Sequence, residues 1–481
     1  MSQGTGPEND GNERSTAPGS GGSATGSTVA AGAPGFVERR LINRDFSRLW
    51  YGMAVSTLGD AVFDTTLVLW IATVLARGRS WAPAAVSGVV VAVGVATIVV
   101  GPVAGVFVDR WDRRRTMLRS ELFRGVLVAV LAAVSFLPVS ALPAGVWLAM
   151  VYAVVVLVNS AGQFFQPSRF AIITQIVHGE ADRAKAMGIT QATFSAAQMI
   201  GPPLAAPLLF AAGFQWALLL NAASYAFSFF AIRSIRIDGR AHPAAPPAPE
   251  PEASGAVALE EVEHSVWREF REGVRFFAHS RYLVALLTVA VIITMGAGAL
   301  NALDIFFVTD NLHVSPHVYG FLAMTEGAGA IVGALCAGWV VQRIGARQAT
   351  WLPLLIGGLM VLVYARQTML LSALACIVAI AVPVAVLNVA IGPLMMDAAP
   401  MEMLGRVMAV FNPIQMVMSI VSTAVASWLA STVMLNFHAK IAGVHMGRID
   451  TIFTVSGLLV VLGGLYGAFA LPRGSAKPGP T

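Results

Sequence analysis

The sequence predicts an all-α membrane protein with twelve transmembrane helices in two pseudo-symmetric six-helix bundles. Three observations carry that expectation. Of 481 residues, 56% are hydrophobic and only 12% are charged, with a mean hydropathy of +0.72. Soluble domains carry roughly 25% charged and about 45–50% apolar residues, so a chain this apolar cannot cover its surface with polar groups, and lipid must do it. Apolar runs of about 20 residues, long enough to cross a bilayer, recur along the chain. Finally, a basic hinge, Gly105-Val-Phe-Val-Asp109-Arg110-Trp-Asp112-Arg113-Arg114-Arg115, has an echo 233 residues later at Gly338-Trp-Val-Val-Gln342-Arg343-Ile-Gly345-Ala-Arg347. Each hinge lies between the second and third spans of a block of six. Parallel repeats of six spans are a transporter signature, with the substrate site midway across the membrane between the halves.

Residues 1–34 are almost entirely small, polar or proline, bury nothing, and read as a disordered tail. They lack the basic and apolar regions of a signal peptide. Phe36–Arg48 is basic and amphipathic and is expected along the membrane surface. The first bundle occupies 35–235, with spans at about Leu49–Ala76, Ala82–Val108, Met117–Leu137, Ala144–Phe164, Ala186–Ala212 and Phe214–Ile232. A polar linker, 236–280, contains Leu259–Phe277, whose apolar positions recur at three- and four-residue steps as in a helix lying on the membrane. The second bundle, 281–472, has spans at about Tyr282–Phe307, Val318–Val341, Ala346–Tyr364, Met369–Met395, Val407–Val433 and Ile452–Leu471. A short polar tail, 473–481, follows.

Assigning loops alternately leaves only Arg77, Arg79, Arg366, Lys440 and Arg448 of the 31 basic residues on the outer side. Positive charge marks the cytoplasmic side, so both termini are expected there, in a multi-pass protein of the cell (inner, plasma) membrane. The net charge of +5 therefore reflects topology rather than nucleic-acid binding, since the arginines sit at helix ends and not along one face. Cys336 and Cys376 fall inside apolar runs and read as small core residues. No phosphate-binding loop is present, so ATP is not the expected energy source. His313 and His317 flank Pro316 in an outer loop without a third ligand partner. No catalytic set, metal centre or cofactor site is expected.

The hinge Gly-x-x-x-Asp-Arg-x-x-Arg-Arg resembles the signature motif of the major facilitator superfamily, and Gly338–Arg347 resembles its second-half echo, with Gln342 in place of the acid. Asn43-Arg-Asp-Phe-Ser-Arg-Leu-Trp50, Gly59-Asp60, Phe164-Phe-Gln-Pro167 with Arg169, Gly201-Pro202 and Gly405-Arg406-Val407-Met408 resemble the drug:proton antiporter branch that includes macrolide efflux proteins and the enterobactin exporter. Asp112 stands where the general motif has Gly. The resemblance implies the major facilitator fold. It also implies a charge-relay clamp that stabilises the outward-facing state, carried by Gly105, Asp109, Arg110 and Arg114, with Gly338, Arg343 and Arg347 as second-half counterparts. Gly105 would let two helices approach closely, and Asp109 would meet a cationic or helix-end partner in one state only. The plainer alternative is that the hinge only sets topology.

Charges inside spans need a reason, because a central ionisable residue costs at least about 2.5–3.5 kcal/mol. Asp60 and Asp64 lie four residues apart on one face of the first span. They are candidates for a proton carrier, for a cationic substrate amine, or for a structural hydrogen bond near Gly59. Glu326 maps by the repeat onto Val93 and is another midplane carboxylate. Asn301 and Asp304 lie toward the outer end of span seven, where Asp304 either functions or faces an outer vestibule. Glu121 and Arg124 belong inside span three, since the apolar run from Gly125 is too short to cross alone. They form either a structural ion pair or part of a coupling network. Gln163, Gln191, Gln198, Asn221, Asn388, Asn412 and Gln415 read as helix–helix hydrogen bonds, and Gly201-Pro202-Pro203 as a bend.

The expected protein is a monomeric secondary transporter, not an enzyme, that exports an amphiphilic small molecule, a macrolide-like drug or a metabolite, in exchange for protons. The alternatives are export of a siderophore or other anionic metabolite, for which Arg124 is the candidate cation, and a lipid flippase or non-transporting sensor.

Overall fold

The computed structural model describes residues 41–235, 274–275, 277–398, 401–435, 437, 439–441 and 444–471. The amino-terminal tail, most of the linker and the carboxy-terminal tail lie outside the described residues.

Twelve long helices form where the apolar runs lie. In the first half they are α1 (Arg44–Trp70), α2 (Ala82–Arg110), α3 (Arg113–Val134), α4 (Ala144–Ile176), α5 (Glu180–Pro207) and α6 (Phe214–Arg233). The second half has α7 (Arg281–Phe306), α8 (Tyr319–Ile344), α9 (Gln348–Tyr364), α10 (Leu370–Ala398), α11 (Met401–Trp428) and α12 (Arg448–Ala470). Ten are long and apolar enough to cross a bilayer on their own composition. The other two are α3, whose first turns carry the hinge arginines, Glu121 and Arg124, and α9, whose 17 residues span about 26 Å.

Local chemistry sets the helix starts. Asn43 caps α1 by accepting from the Phe46 amide at 2.7 Å, and its side-chain amide donates to the Ile176 carbonyl at 2.6 Å, tying the start of α1 to the end of α4. Asp112, the departure from the general motif, caps α3 by accepting from the Arg115 amide at 2.7 Å. A carboxylate there satisfies an otherwise free N–H and opposes the positive helix end, which Gly could not do. Gly345, at φ +82°, ends α8 in a conformation that favours glycine.

The repeat is legible in the packing. In the first half α1 packs on α5 and α6, α3 on α4 and α6, and α2 on α4; in the second α7 packs on α11 and α12, α9 on α10 and α12, and α8 on α10. Helices α1, α5, α7 and α11 each continue into a five-residue π-helical turn, at Ile71–Leu75, Leu208–Ala212, Phe307–Asn311 and Leu429–Val433. All four turns lie on the face opposite the one where α1 starts and α12 ends. These are called the far face and the terminal face below.

Several boundaries differ from expectation. Helix α4 runs twelve residues past Phe164, because Pro167 lies inside the helix and does not end it. A short antiparallel hairpin (439–441 with 444–446) closes the far-face loop between α11 and α12, with Lys440 opposite His445. Cys336 is exposed on α8 rather than buried, whereas Cys376 is buried.

The two halves meet along α2–α11 and α5–α8, and the described contacts lie in the middle and far portions. The Ala84 amide donates to Ser431 Oγ at 3.1 Å, and the Phe210 and His317 rings lie 3.8 Å apart. A Cβ on Gly320 would stand 2.5 Å from the Pro202 carbonyl oxygen. One on Gly201 would stand 2.5 Å from Ala61 Cβ. Gly201-Pro202-Pro203 therefore serves close approach on two sides of α5, to α1 and to α8. The largest apolar cluster joins both halves, from Phe63 and Trp70 to Phe307 and Phe453. Toward the terminal face, each described cluster stays within one half. There Leu335 on α8 is 80% exposed. The molecule is closed at the far face and parted at the terminal face.

Candidate functional site

Charged side chains inside the helices gather in two places, one per half. In the first half, Asp60 on α1 is held from two directions. Arg124 on α3 donates from Nη2 to one carboxylate oxygen at 2.8 Å, and the Tyr225 hydroxyl on α6 donates to the other. The Arg124 guanidinium also stacks over the Tyr225 ring, 4.4 Å from its centroid, a cation–π contact that strengthens as water is excluded. Arg124 is 9% exposed and the Asp60 side chain 31% exposed, so the pair is half-buried on the Asp60 side. Its Nε has no hydrogen-bond partner. Asp64, one turn further along α1, is exposed.

Glu121 is fully buried, beside Ser228 on α6 and within reach of the Arg124 charge on its own helix. The sequence left open a structural ion pair between Glu121 and Arg124 or membership of a wider network; among the described residues the direct ion pair of Arg124 is with Asp60. They stand three residues apart on α3, yet the guanidinium reaches across to α1 instead. Asp60 offers a carboxylate already oriented by Tyr225, and that bidirectional hold fixes the pair.

In the second half, a cavity of about 200 Å³ opens within the bundle formed by α7, α8, α9, α10 and α12. Its walls are mostly aliphatic, and its polar lining comprises Asn301, Asp304, Glu326, Tyr364, Asn388 and Ser456. The Tyr364 hydroxyl donates to Asp304 at 3.0 Å. Asp304 thus faces this cavity rather than an outer vestibule, because α9 presents Tyr364 to it. Asn301 donates to its own helix at the Ala297 carbonyl, 3.1 Å away. Glu326 reaches the cavity from α8. Among the described residues no lysine, arginine or histidine lines it.

The hinge residues take other positions. Gly105 and Gly338 both face open space, so the close helix approach expected of Gly105 is not made in this conformation. Arg114 donates to the Arg233 carbonyl at 2.5 Å, and Arg347 donates to the Ala468 and Leu471 carbonyls at 2.5 and 2.8 Å. Each closes the free carbonyls at the end of α6 or α12 in its own half, where a cation also meets the negative helix end. Arg343 lies over Trp339 of its own helix, 5.4 Å from the ring centroid, and Arg110 is exposed. The side chain of Asp109 is outside the described residues. Gln163 and Gln415 bond across helices as expected, to Thr97 at 3.3 Å and Thr294 at 3.2 Å.

Three functional candidates were missed in the sequence. Tyr225 and Tyr364 bind the two aspartates, and each is the lone tyrosine of its span; that solitary hydroxyl in an apolar helix was the available signal. Arg169 on α4, named in the sequence for the family resemblance but given no role there, is the third. Its Nη1 donates to the Met53 sulfur at 3.1 Å, and among the described residues its buried Nε has no hydrogen-bond partner.

Two repeated six-helix halves, in contact at one face and parted at the other, with ionisable groups held inside each, define a membrane transporter. The chain belongs to the Major Facilitator Superfamily, whose family model matches residues 49–307 and 286–481. It is similar to an uncharacterised transporter of that superfamily, YkuC of Bacillus subtilis, at 23% identity over 90% of this chain and 94% of that protein. It is also similar to macrolide efflux protein A of Streptococcus pyogenes, at 22% identity over 61% of this chain and 66% of that one. The crystal structure of a bacterial homologue of the iron transporter ferroportin, in an inward-facing state, superposes with a TM-score of 0.66 at 14% identity, covering 89% of this chain and 99% of that one. The fold is the major facilitator fold.

Proposed function

We propose that this transporter exports a cationic amphiphile across the cell membrane in exchange for protons, acting as a monomer with its terminal face toward the cytoplasm. The observation that carries the reading is the lining of the second-half cavity. Asp304 and Glu326 supply two carboxylates and no cation among otherwise aliphatic walls. Such a pocket favours a ligand with an apolar body and a positive group, since the ligand's charge compensates the carboxylates and its carbon skeleton fills the walls.

The first-half cluster supplies the coupling. Asp60 is balanced by Arg124 while it is ionised. A proton on Asp60 releases that pairing, so protonation and rearrangement of α1, α3 and α6 are linked. A conformation parted toward the cytoplasm accepts substrate there. A proton arriving from the outside then favours its release on the far side. The similarity to macrolide efflux protein A supports an exported amphiphile as cargo.

An anionic substrate is the second reading. Arg124 was its expected cation, but Arg124 is engaged with Asp60, leaving Arg169 as the group that would have to serve it.

Everted membrane vesicles provide the test. A fluorescent lipophilic cation should accumulate when the vesicle interior is made acidic, and collapse of the gradient should release it. The Asp304→Asn, Glu326→Gln double variant should accumulate none. Accumulation that ignores the gradient would refute proton exchange, and accumulation that survives the double variant would refute the cation site.

A further inference from the structure

We propose that the groove between α3 and α4, on the lipid-facing flank of the first half, is a binding site for an anionic phospholipid of the leaflet at the terminal face. The groove has a volume of about 410 Å³, and its lining includes Trp111, Arg119, Phe123, Leu157, Ser160 and Phe164. Helix α3 packs on α4 and α6, away from the α2–α11 and α5–α8 contacts that join the halves. This flank is therefore presented to the bilayer.

Arg119 is the reason for the assignment. It lies six residues into α3, about 9 Å from the hinge along the helix axis. It is exposed, and no hydrogen bond or ion pair joins it to a described residue. An arginine that deep in a lipid-facing wall needs a counter-charge or must reach to the headgroups. Arg115 stands one turn nearer the hinge on the same helical face, also exposed. Two like charges at that spacing repel each other unless an anion lies between them.

The rest of the groove suits the remainder of a lipid. Phe123, one turn beyond Arg119 on the same face, is 47% exposed, and Leu157 is 42% exposed; these are apolar walls at acyl-chain depth. At the headgroup end Trp111 stacks on Phe164, with centroids 5.8 Å apart. Aromatic rings of this kind are favoured at the membrane interface. The Ser160 hydroxyl makes no hydrogen bond with a described residue, whereas Ser120 is engaged, donating to the Ala161 carbonyl at 2.7 Å and joining α3 to α4 along the floor. One guanidinium, one free hydroxyl and an aromatic rim make a phosphate seat above an acyl channel.

Two internal comparisons sharpen the assignment. The groove among α1, α5 and α6 is of similar size, about 440 Å³, but its lining from Val55 to Phe227 has no charged side chain. It can accept a chain but offers a headgroup nothing. Placing the second half on the first by Arg114 and Arg347 sets Leu352 opposite Arg119, so the repeat does not reproduce the site.

Native mass spectrometry of the full-length protein, released from micelles doped with phosphatidylglycerol or phosphatidylcholine, tests the proposal. The wild-type protein should retain phosphatidylglycerol in preference to phosphatidylcholine. Arg119→Gln should lower phosphatidylglycerol occupancy about fivefold, the worth of one arginine beside an anionic headgroup, while Arg79→Gln on the far face leaves it unchanged. Equal retention by Arg119→Gln and wild type, or equal retention of the two lipids, would overturn it. If Arg119→Gln fails to fold, the wild-type melting temperature decides. A rise with phosphatidylglycerol that neither phosphatidylcholine nor inorganic phosphate produces supports the site, and its absence refutes it.

Discussion

The two halves place an aspartate on equivalent helices, α1 and α7, and surround it differently. Asp60 meets an arginine and a tyrosine. Asp304 meets a tyrosine and shares its cavity with a second acid. By the register that matches Arg114 with Arg347, the position of Arg124 is Gly357 in the second half and that of Glu121 is Leu354. A repeat of one architecture has thus become a charge-balanced cluster in one half and a charge-unbalanced cavity in the other. In the proposed function, the balanced cluster answers to a proton and the unbalanced cavity takes a cation brought from outside.

The largest effect expected from breaking this contrast lies in the first half. Arg124→Gln leaves the half-buried Asp60 carboxylate without its cation and should destabilise the protein by about 1–3 kcal/mol, the cost of a charged group losing its partner. In a thermal-unfolding assay, adding Asp60→Asn to it should recover most of the loss without restoring gradient-driven transport. If the single variant is as stable as wild type, Asp60 and Arg124 do not depend on each other.

A comparable effect is expected where the halves touch. Gly320→Val forces a side chain against the Pro202 and Pro203 backbone, which cannot move aside as a flexible side chain would. The far-face contact should weaken by about 1–3 kcal/mol, shifting molecules toward a far-face-open state. Labelling of a cysteine introduced at Ser431, which is buried against the Ala84 amide of the other half, should speed up several-fold. Unchanged labelling would mean that the α5–α8 contact does not hold the far face closed.

The smallest contrast separates the two tyrosines. Removing either hydroxyl costs about 1 kcal/mol of hydrogen bonding. Tyr225→Phe should shift the pH dependence of transport, whereas Tyr364→Phe should change apparent affinity for the cation. The reverse pattern would exchange the roles assigned to the halves.

Much of this architecture was readable in the sequence because lipid imposes long apolar runs, and because the hinge and its echo marked the repeat. Charges inside those runs were equally visible, and Asp60, Glu121, Arg124, Asp304 and Glu326 all fall in the two polar regions. Their pairing was not visible. Residues three apart share a helical face, which made Glu121 one candidate partner of Arg124, but the choice depends on how α1 and α6 pack against α3. The hinge arginines were hidden for a similar reason. Arg114 and Arg347 cap the ends of α6 and α12, helices more than a hundred residues away in sequence. Pro167 misled in the opposite direction, since a proline inside a long membrane helix need not end it.

The division of labour between the halves is tested most directly by measuring, on purified protein, equilibrium binding of a lipophilic cation at neutral and acidic pH in two variants, Asp60→Asn and Glu326→Gln. Asp60→Asn should bind the cation about as well as wild type while losing proton-driven transport in vesicles. Glu326→Gln should lose at least about tenfold in affinity, the worth of a desolvated charged contact. Loss of binding in Asp60→Asn with full binding in Glu326→Gln would contradict the account.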